Sequence, residues 1–334
     1  MKVLELREEL RESLGHRILN IPDSPSDLEQ PTRIAILFSG GVDCTLIARM
    51  VHDILPNDHA VDLLNVAFEN PRAIAATKTS LSKHSQTVAA LDHLIYGRCP
   101  DRMTGLSSHN ELLDVCPGRC WRFVSIDIPY SETIAHRNQI ISLLHPHDTE
   151  MDLSIACALY FAARGRGYIQ SLTEDDPRLY TTPARVLLSG LGADELFAGY
   201  ARHVTAFRRA SYTGLLDELD LDFQRLGKRN LGRDDRVISH WGREVRYPYL
   251  DEKFVQWALK QPVWEKCSFA LEDASDIQGL QRTSSLEPGK HILRLLMWKL
   301  GMERAAKEKK RAIQFGARSA KMTSGKMKGT QIIS

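Results

Sequence analysis

Residues 33–51 read RIAILFSGGVDCTLIARMV and contain a short apolar run, two glycines, an acid and a second apolar stretch. Arg33 to Phe38 has the length and composition of a buried strand, and Thr45 to Leu55 repeats apolar residues at helical spacing. Ligands of α/β proteins bind where a parallel strand ends and a helix begins. The stretch therefore predicts an α/β fold with a ligand-binding loop at residues 39–43.

Further patterns extend this unit along the chain. Apolar runs predict additional strands over 61–68, 121–128 and 184–189. Helical periodicity predicts helices over 3–19 and 151–165. Residues 70–90 are polar and predict a surface loop, and the chain after Tyr200 is expected to be mostly helical. We expect residues 1–30 to form a leading amphipathic helix and a proline-rich linker, followed by one domain over residues 31–330.

Composition narrows the class of protein. Of the 334 residues, 43% are hydrophobic and 26% are charged, as in soluble globular proteins. The net charge of +2 does not indicate a nucleic-acid partner. The sequence has neither a membrane-length apolar run nor an apolar signal segment at its start, and its six cysteines are scattered. These features predict a cytoplasmic protein without a membrane partner.

The loop at residues 39–43 has the chemistry of a phosphate site. Gly40 and Gly41 allow backbone N–H groups to approach an anion, and the following helix N-terminus adds partial positive charge. Ser39 supplies a hydroxyl donor. Asp43 would repel phosphate unless a cation lies between them, so the loop predicts a phosphate bound together with Mg²⁺.

Two common glycine-rich nucleotide motifs do not fit this loop. The Walker motif requires Gly-Lys-Ser/Thr, and the Gly-Lys pairs that begin at residues 227, 289 and 325 are each followed by another residue. A G-x-G-x-x-G dinucleotide fingerprint is also missing from this loop. An ordinary tight turn remains the alternative for a double glycine, but the full string Ser-Gly-Gly-Val-Asp after a buried strand favours a nucleotide site.

This string resembles the pyrophosphate-binding loop of the N-type ATP pyrophosphatases, the PP-loop family. A second glycine loop, VLLSGLGADELFAGYARH at 186–203, resembles a segment of the asparagine synthetases. The stretches RDDRVISHWGREVRYPYLD (233–251) and KKRAIQFGARSAKM (309–322) resemble further segments of that family, in the same order. The strings DRMTGL and NLGRDDRVI are similar to one eukaryotic branch of it.

The resemblance implies a fold and an activity. The fold would be a doubly wound, mainly parallel five-stranded sheet with a helical C-terminal half. The activity would be ATP-dependent formation of β-aspartyl-AMP from aspartate, with release of pyrophosphate, followed by attack of ammonia to give asparagine. ATP and Mg²⁺ are the implied cofactors, and aspartate and ammonia are the implied substrates.

The resemblance also implies site residues. Those around the adenosine would be Leu37, Val66, Ser189 and Gly190. Those around the pyrophosphate and its Mg²⁺ would be Ser39, Gly40, Gly41 and Asp43. Asp194 would be the second magnesium carboxylate, and Lys310 would neutralise charge that develops in the reaction. Asp235, Arg236 and Arg246 would bind or brace the amino-acid substrate, with a structural ion-pair network as an equal alternative.

Three departures from the family pattern bear on function. Cys44 replaces a usual Ser or Thr and is a weaker hydrogen-bond donor. Leu191 occupies the position of an active-site glutamate, and leucine can neither accept a proton nor pair with an ammonium group. The first cysteine of this chain is Cys44, whereas the family's glutaminase half begins with a nucleophilic cysteine. Nitrogen would then come from free ammonia or from a partner glutaminase.

The sequence leaves alternatives open. The departures suggest a nucleotide-binding or interaction protein that is catalytically impaired. A tRNA-modifying PP-loop enzyme is a weaker alternative, suggested by Cys116, Cys120 and the basic segment 299–328. With Cys99 and His109, the same cysteines have loose zinc-like spacing. His203 follows the second glycine loop and is better explained as a structural residue than as a catalytic base.

Overall fold

The structure is a computed structural model that describes residues 2–22, 32–80, 93–170, 177–269, 286–322 and 329–333, with side chains omitted over 76–80 and 93–94. Most of the proline-rich linker, the second half of the predicted loop 70–90 and part of the basic segment lie outside the described residues.

A single sheet of seven strands forms the centre of the described chain. The strands are β1 (Thr32–Leu37), β2 (Ala60–Phe68), β3 (Trp121–Ile128), β4 (Arg166–Ile169), β5 (Arg178–Thr181), β6 (Val186–Leu188) and β7 (Glu244–Arg246). Their order is β5-β4-β3-β2-β1-β6-β7. The five strands β3, β2, β1, β6 and β7 pair in parallel with their neighbours in this order. β4 and β5 form an antiparallel hairpin, and β4 pairs antiparallel with β3. The expected five-stranded sheet is therefore corrected to seven, of which five are parallel.

Helices cover both faces of this sheet. In chain order they begin with α1 (Lys2–Ile18), α2 (Val42–His52), α3 (Pro71–Ser80), α4 (Pro100–Val115), α5 (Tyr130–Leu144) and α6 (Glu150–Arg164). They continue with α7 (Ala193–Leu196), α8 (Ala201–Leu226), α9 (Gly232–Ser239), α10 (Glu252–Lys260), α11 (Val263–Lys266), α12 (His291–Lys299), α13 (Glu303–Ala306) and α14 (Ile313–Gly316). Short π-helical segments span His93–Gly97 and Gly227–Leu231, and a 3₁₀ turn spans Pro248–Leu250. No helix among these described residues is long and apolar enough to cross a membrane.

The predicted elements agree with the observed ones to within a few residues. The strand predicted over 121–128 matches β3, and the helix predicted over 151–165 is α6 at Glu150–Arg164. Residues 71–80 form helix α3, so the predicted surface loop 70–90 is wrong over that part. Its residues Ala73, Ala75 and Ala76 favour a helix despite the polar neighbours.

Helix α1 belongs to the main core. Leu6, Leu10, Leu14 and Ile18 are fully buried and recur on one face of the helix. These four residues belong to a hydrophobic cluster with residues of α2 and α12, on one face of the sheet. Residues of α5 and α6 form the cluster on the other face. Because parallel strands end at the same edge, the loops after β1, β2 and β6 meet there.

Candidate active site

A cavity of about 400 Å³ opens at this edge of the sheet. Its lining includes the apolar residues Leu37, Leu64, Val66, Ile155, Leu159 and Ile313. It also includes the polar and charged residues Ser39, Asp43, Ser189, Asp194 and Lys310. The cavity thus combines apolar and charged side chains, as expected of a site for an organic molecule with an ionic group. The residues predicted to bind nucleotide or magnesium, or to neutralise developing charge, line the cavity with two exceptions. The exceptions are Gly40 and Gly41.

The first glycine loop packs tightly against helix α4. Gly40 has a φ of +79°, and a Cβ there would lie 2.5 Å from backbone atoms of Thr104 and Gly105. The Ser108 hydroxyl donates a hydrogen bond of 2.7 Å to the Gly40 carbonyl. Gly40 is therefore required by backbone conformation and by packing, and the N-terminus of α2 supplies N–H groups without helical partners beside the cavity.

Cys44 supports this loop from the buried side. Its thiol donates to the Gly41 carbonyl at 3.4 Å and lies 3.6 Å from the Ser39 hydroxyl. Burial raises the pKa of the Cys44 thiol, so the side chain stays neutral. A cysteine in place of the usual Ser or Thr is therefore accommodated inside the loop. Cys44 does not line the cavity.

The second glycine loop touches the first. A Cβ at Gly190 would lie 2.8 Å from the Asp43 Cβ, and one at Gly199 would lie 1.9 Å from Asp194 Oδ1. Side chains at either position would displace an acid of the site. The glycines therefore allow Asp43 and Asp194 to be brought together from two separate strand ends.

Two lysines neutralise these two acids. Lys290 Nζ lies 2.9 and 2.8 Å from the two Asp43 oxygens and 2.9 Å from Asp194 Oδ1. Lys310 Nζ contacts Asp194 Oδ2 at 2.5 Å. Burial alone would raise the pKa of Asp194, but the charges of the two lysines outweigh it and lower this pKa below its ordinary value.

Sequence reasoning missed Lys290. Its Gly289-Lys290 pair does not complete a Walker motif, yet the lysine contacts both predicted magnesium carboxylates. The sequence feature that could have identified Lys290 is its position after a glycine and directly before an apolar helix. Lys310, by contrast, was among the predicted residues, and it contacts Asp194.

The residues present fit Mg²⁺ when it binds together with a phosphate group. Within the described ranges, no cluster of three or more His, Cys, Asp or Glu side chains could hold a metal alone. Asp43 and Asp194 supply the hard oxygen donors that Mg²⁺ prefers, and Mg²⁺ commonly uses one or two carboxylates plus substrate phosphates. The geometry thus favours a metal that enters with its ligand.

The loop position after Gly190 faces the cavity with an apolar side chain. Leu191 lines the cavity, and its N–H donates to the Ser189 hydroxyl at 3.3 Å. Nearby, Glu195 lines the same cavity and accepts a hydrogen bond of 2.6 Å from Tyr200. Burial, with the Asp194 charge, raises the pKa of Glu195, and its Oε2 has no partner in the described part of the chain.

The predicted substrate residues occupy structural positions outside the cavity lining. Arg236 donates to the carbonyls of Leu143 and Leu144 at 2.7 and 3.2 Å. Arg246 pairs with Glu244 at 2.7 Å, and Asp235 is exposed. The contacts of Arg236 and Arg246 are structural, and only that of Arg246 is an ion pair. Both the substrate role and the ion-pair network therefore stay predictions for the three residues.

Two neighbours in the same segment do line the cavity. Arg233 forms ion pairs of 2.8 Å with both Asp152 and Asp234. Burial raises the pKa of Asp234 to about 6, although Arg233 opposes this effect. Arg225 and Arg229, one helical turn apart and both exposed, lie at the rim of the cavity.

The remaining sequence candidates have structural partners. Cys99 donates to the Gly316 carbonyl at 2.8 Å, and His109 lies 3.3 Å from the Trp121 carbonyl. Neither joins Cys116 or Cys120 in a potential metal cluster of described residues. His203 is fully buried against Asp222 at 2.9 Å, as expected of a structural residue.

Comparisons with known proteins relate the chain to one family. The family model described as Asparagine synthase matches residues 210–330. The chain is 40% identical over 307 residues to asparagine synthetase domain-containing protein 1 of Mus musculus, covering 86% of this chain and 46% of that one.

Two further relatives extend the comparison. A Saccharomyces cerevisiae asparagine synthetase domain-containing protein is 36% identical over 334 residues, covering 97% of this chain and 54% of that one. Asparagine synthetase B [glutamine-hydrolyzing] of Escherichia coli is 34% identical over 77 residues, covering 23% of this chain and 13% of that one. The chain spans about half the length of the eukaryotic relatives. These matches and the order of the motifs show that the chain belongs to the asparagine synthetase family.

Proposed function

We propose that the protein binds ATP and Mg²⁺ and adenylates the side-chain carboxylate of aspartate. The carboxylate oxygen would form a bond to the α-phosphorus of ATP, and pyrophosphate would leave. Ammonia would then attack the acyl carbon, giving asparagine and AMP with loss of a proton. The observation that carries this proposal is the cluster of Asp43, Asp194 and Lys310 in the cavity lining, with Lys290 bridging the two acids.

Each part of the cavity has a role in this proposal. The apolar lining residues, among them Leu37 and Val66, are suited to an adenine ring. The N–H groups at the start of α2 and the Ser39 hydroxyl are suited to phosphate oxygens. Mg²⁺, held by Asp43 and Asp194, would neutralise charge on the phosphates. Lys310 would do the same for the leaving pyrophosphate.

The nitrogen source is part of the proposal. Glutamine hydrolysis is stated in the name of the Escherichia coli relative, which matches this chain over 77 residues. For this chain we propose ammonia taken from solution or delivered by a partner glutaminase.

An aspartate-dependent exchange of labelled pyrophosphate into ATP tests the first half-reaction. We expect exchange by the unaltered protein and its loss in Asp43→Asn, which keeps the side-chain size and removes the charge. Asp114→Asn is the matched control because Asp114 is exposed and lies on the outer surface of α4. If the unaltered protein shows no more exchange than Asp43→Asn, adenylation is refuted.

Leu191 favours a second candidate, a protein that binds nucleotide without making asparagine. An apolar side chain faces the cavity where the family resemblance implies an acid. ATP binding measured by calorimetry, with no turnover for any amino acid, would support this second function. Asparagine formed from aspartate, ATP and ammonium would eliminate it.

A further inference from the structure

We propose that Lys290 is a built-in counter-cation that keeps the Asp43–Asp194 pair closed to Mg²⁺ until a nucleoside triphosphate arrives. The two acids would then exchange one ammonium group for a metal that enters with the phosphates. The inference deepens the proposed function and rests on its assignment of this cavity to Mg²⁺ and ATP.

The position of Lys290 carries the inference. Its Nζ lies within 2.9 Å of oxygens from both acids, so it takes the place between them that a shared cation would take. The side chain is 3% exposed, against 32% for Lys310. Lys290 is thus enclosed with the acids, whereas Lys310 approaches Asp194 from the open side.

The backbone holds Lys290 in this position. Its φ of 55° places it in the left-handed region just before α12, and its N–H donates to the Phe197 carbonyl at 2.9 Å. Arg294, almost fully buried, donates to the Gly289 carbonyl at 3.0 Å. Arg294 also donates to the carbonyls of Ala306 and Glu308 at 2.7 and 2.8 Å, which ties the Lys290 turn to the segment before Lys310.

Charge explains why metal and nucleotide would enter together. Two carboxylates and two ammonium groups cancel in the cavity, so Mg²⁺ alone would lose its water and meet two positive charges. A triphosphate brings about four negative charges, which can attract the lysines away from the acids and share Mg²⁺ with them. Metal binding and nucleotide binding should therefore be strongly coupled.

Thermal unfolding without nucleotide tests the inference. Lys290→Met keeps much of the side-chain volume but leaves the two acids one cation short. We expect 10 mM MgCl₂ to raise its Tm by about 3 °C or more through binding to the acids, and to raise that of the unaltered protein by less than about 1 °C. Adding Asp43→Asn to Lys290→Met should remove most of the magnesium response.

Lys266→Met is the matched control. Lys266 is also buried, and its Nζ donates to the Ala258 carbonyl at 3.3 Å, away from the cavity lining. The Lys266→Met variant also loses a buried lysine, but MgCl₂ should not raise its Tm. An equal magnesium response in Lys290→Met and Lys266→Met would overturn the inference.

Calorimetry on the unaltered protein gives a second measurement if a variant fails to fold. We expect at least a tenfold tighter Mg²⁺ affinity when a nonhydrolysable ATP analogue is present than when it is absent. Tight Mg²⁺ binding without the analogue would overturn the inference. Failure of the protein to bind the analogue under any condition would instead refute the proposed function, so the two failures are distinguishable.

Discussion

Leu191 is the residue on which the choice between two functions depends. It lines the cavity next to Ser189 and Gly190 and offers no group that could bind an ammonium ion. Among the described residues, the neighbouring acid Glu195 has one oxygen without a partner, but burial raises its pKa, and Tyr200 donates a hydrogen bond to its other oxygen. Recognition of an amino acid at Leu191 would therefore rest on apolar contact alone.

Leu191→Glu should strengthen recognition of aspartate. A carboxylate at this position can pair with the substrate ammonium, and a charge-assisted hydrogen bond of about 1.5 kcal/mol corresponds to roughly a tenfold lower KM for aspartate. The measurement is pyrophosphate exchange as a function of aspartate concentration. Leu191→Gln is the control of matched size without charge, and an equal effect of both substitutions would contradict an ionic origin.

Asp101 should make stability depend on pH. Burial raises its pKa from 3.8 to about 7, although Arg311 and Lys310 oppose this effect. Between about pH 4 and pH 7 the unfolded chain loses this proton while the folded chain keeps it, so the free energy of unfolding should fall as pH rises. The loss should be on the order of a few kcal/mol.

Denaturant unfolding between pH 5 and pH 8 checks this effect. Asp101→Asn cannot ionise, so its stability should change less with pH than that of the unaltered protein. Asp114→Asn, on the exposed side of the same helix, should keep the unaltered pH dependence. Parallel curves for Asp101→Asn and the unaltered protein would contradict the prediction.

The family resemblance was sufficient to identify part of the charged cluster. Asp43, Asp194 and Lys310 were predicted, and the structure brings them together. Lys290 was missed because it meets Asp43 from 247 positions away along the chain. No local spacing encodes such a contact, which depends on how the Lys290 turn packs against the carbonyl of Phe197.

At the scale of elements, α1 illustrates what periodicity can predict. Its helical spacing of apolar residues was sufficient to predict the helix, but not its burial against α2 and α12. Packing, and not the weak propensity of a single helix, provides most of its stability in the folded protein.

Leu10→Ala should therefore destabilise the whole domain. Leu10 is fully buried, and truncation of a buried leucine to alanine typically costs about 2–5 kcal/mol. Leu4→Ala in the same helix is the control, because Leu4 is 57% exposed and should change stability by less than about 0.5 kcal/mol. Equal effects in urea unfolding would show that α1 does not share the core.

Three strands could not be predicted from the chain. β4, β5 and β7 have four, four and three residues, which is too few to show a period. β7 pairs in parallel with β6, and β4 and β5 pair with each other. Their extended conformation therefore depends on partners, whereas β2 and β3 are long and apolar enough to be recognised alone.

At the scale of the whole molecule, the cavity joins distant parts of the chain. Its lining includes residues 37–39 at the end of β1, 189–191 after β6 and 310–314 near α14. A bound nucleotide would contact all three segments, so the stability of each should depend on the same ligand.

Hydrogen exchange measures this coupling directly. MgATP should slow exchange in segments 39–44, 189–195 and 310–316 together, by roughly tenfold or more when the ligand is at about 100 times its Kd. The same ligand should have little effect in Asp43→Asn. Protection confined to a single segment would argue against one shared site.

We expect Arg225, Arg229 and Arg311, which are exposed residues of the cavity lining, to affect how fast a nucleotide associates. The charges of Asp43, Asp194, Lys290 and Lys310 cancel and exert little force at long range, so these exposed guanidinium groups should provide most of the attraction on a distant anion. The association rate constant in stopped-flow experiments should then decrease as ionic strength rises, while the dissociation rate constant changes less. The exposed arginines should thus affect the association rate of a nucleotide. The acids and lysines of the cluster should affect its dissociation rate.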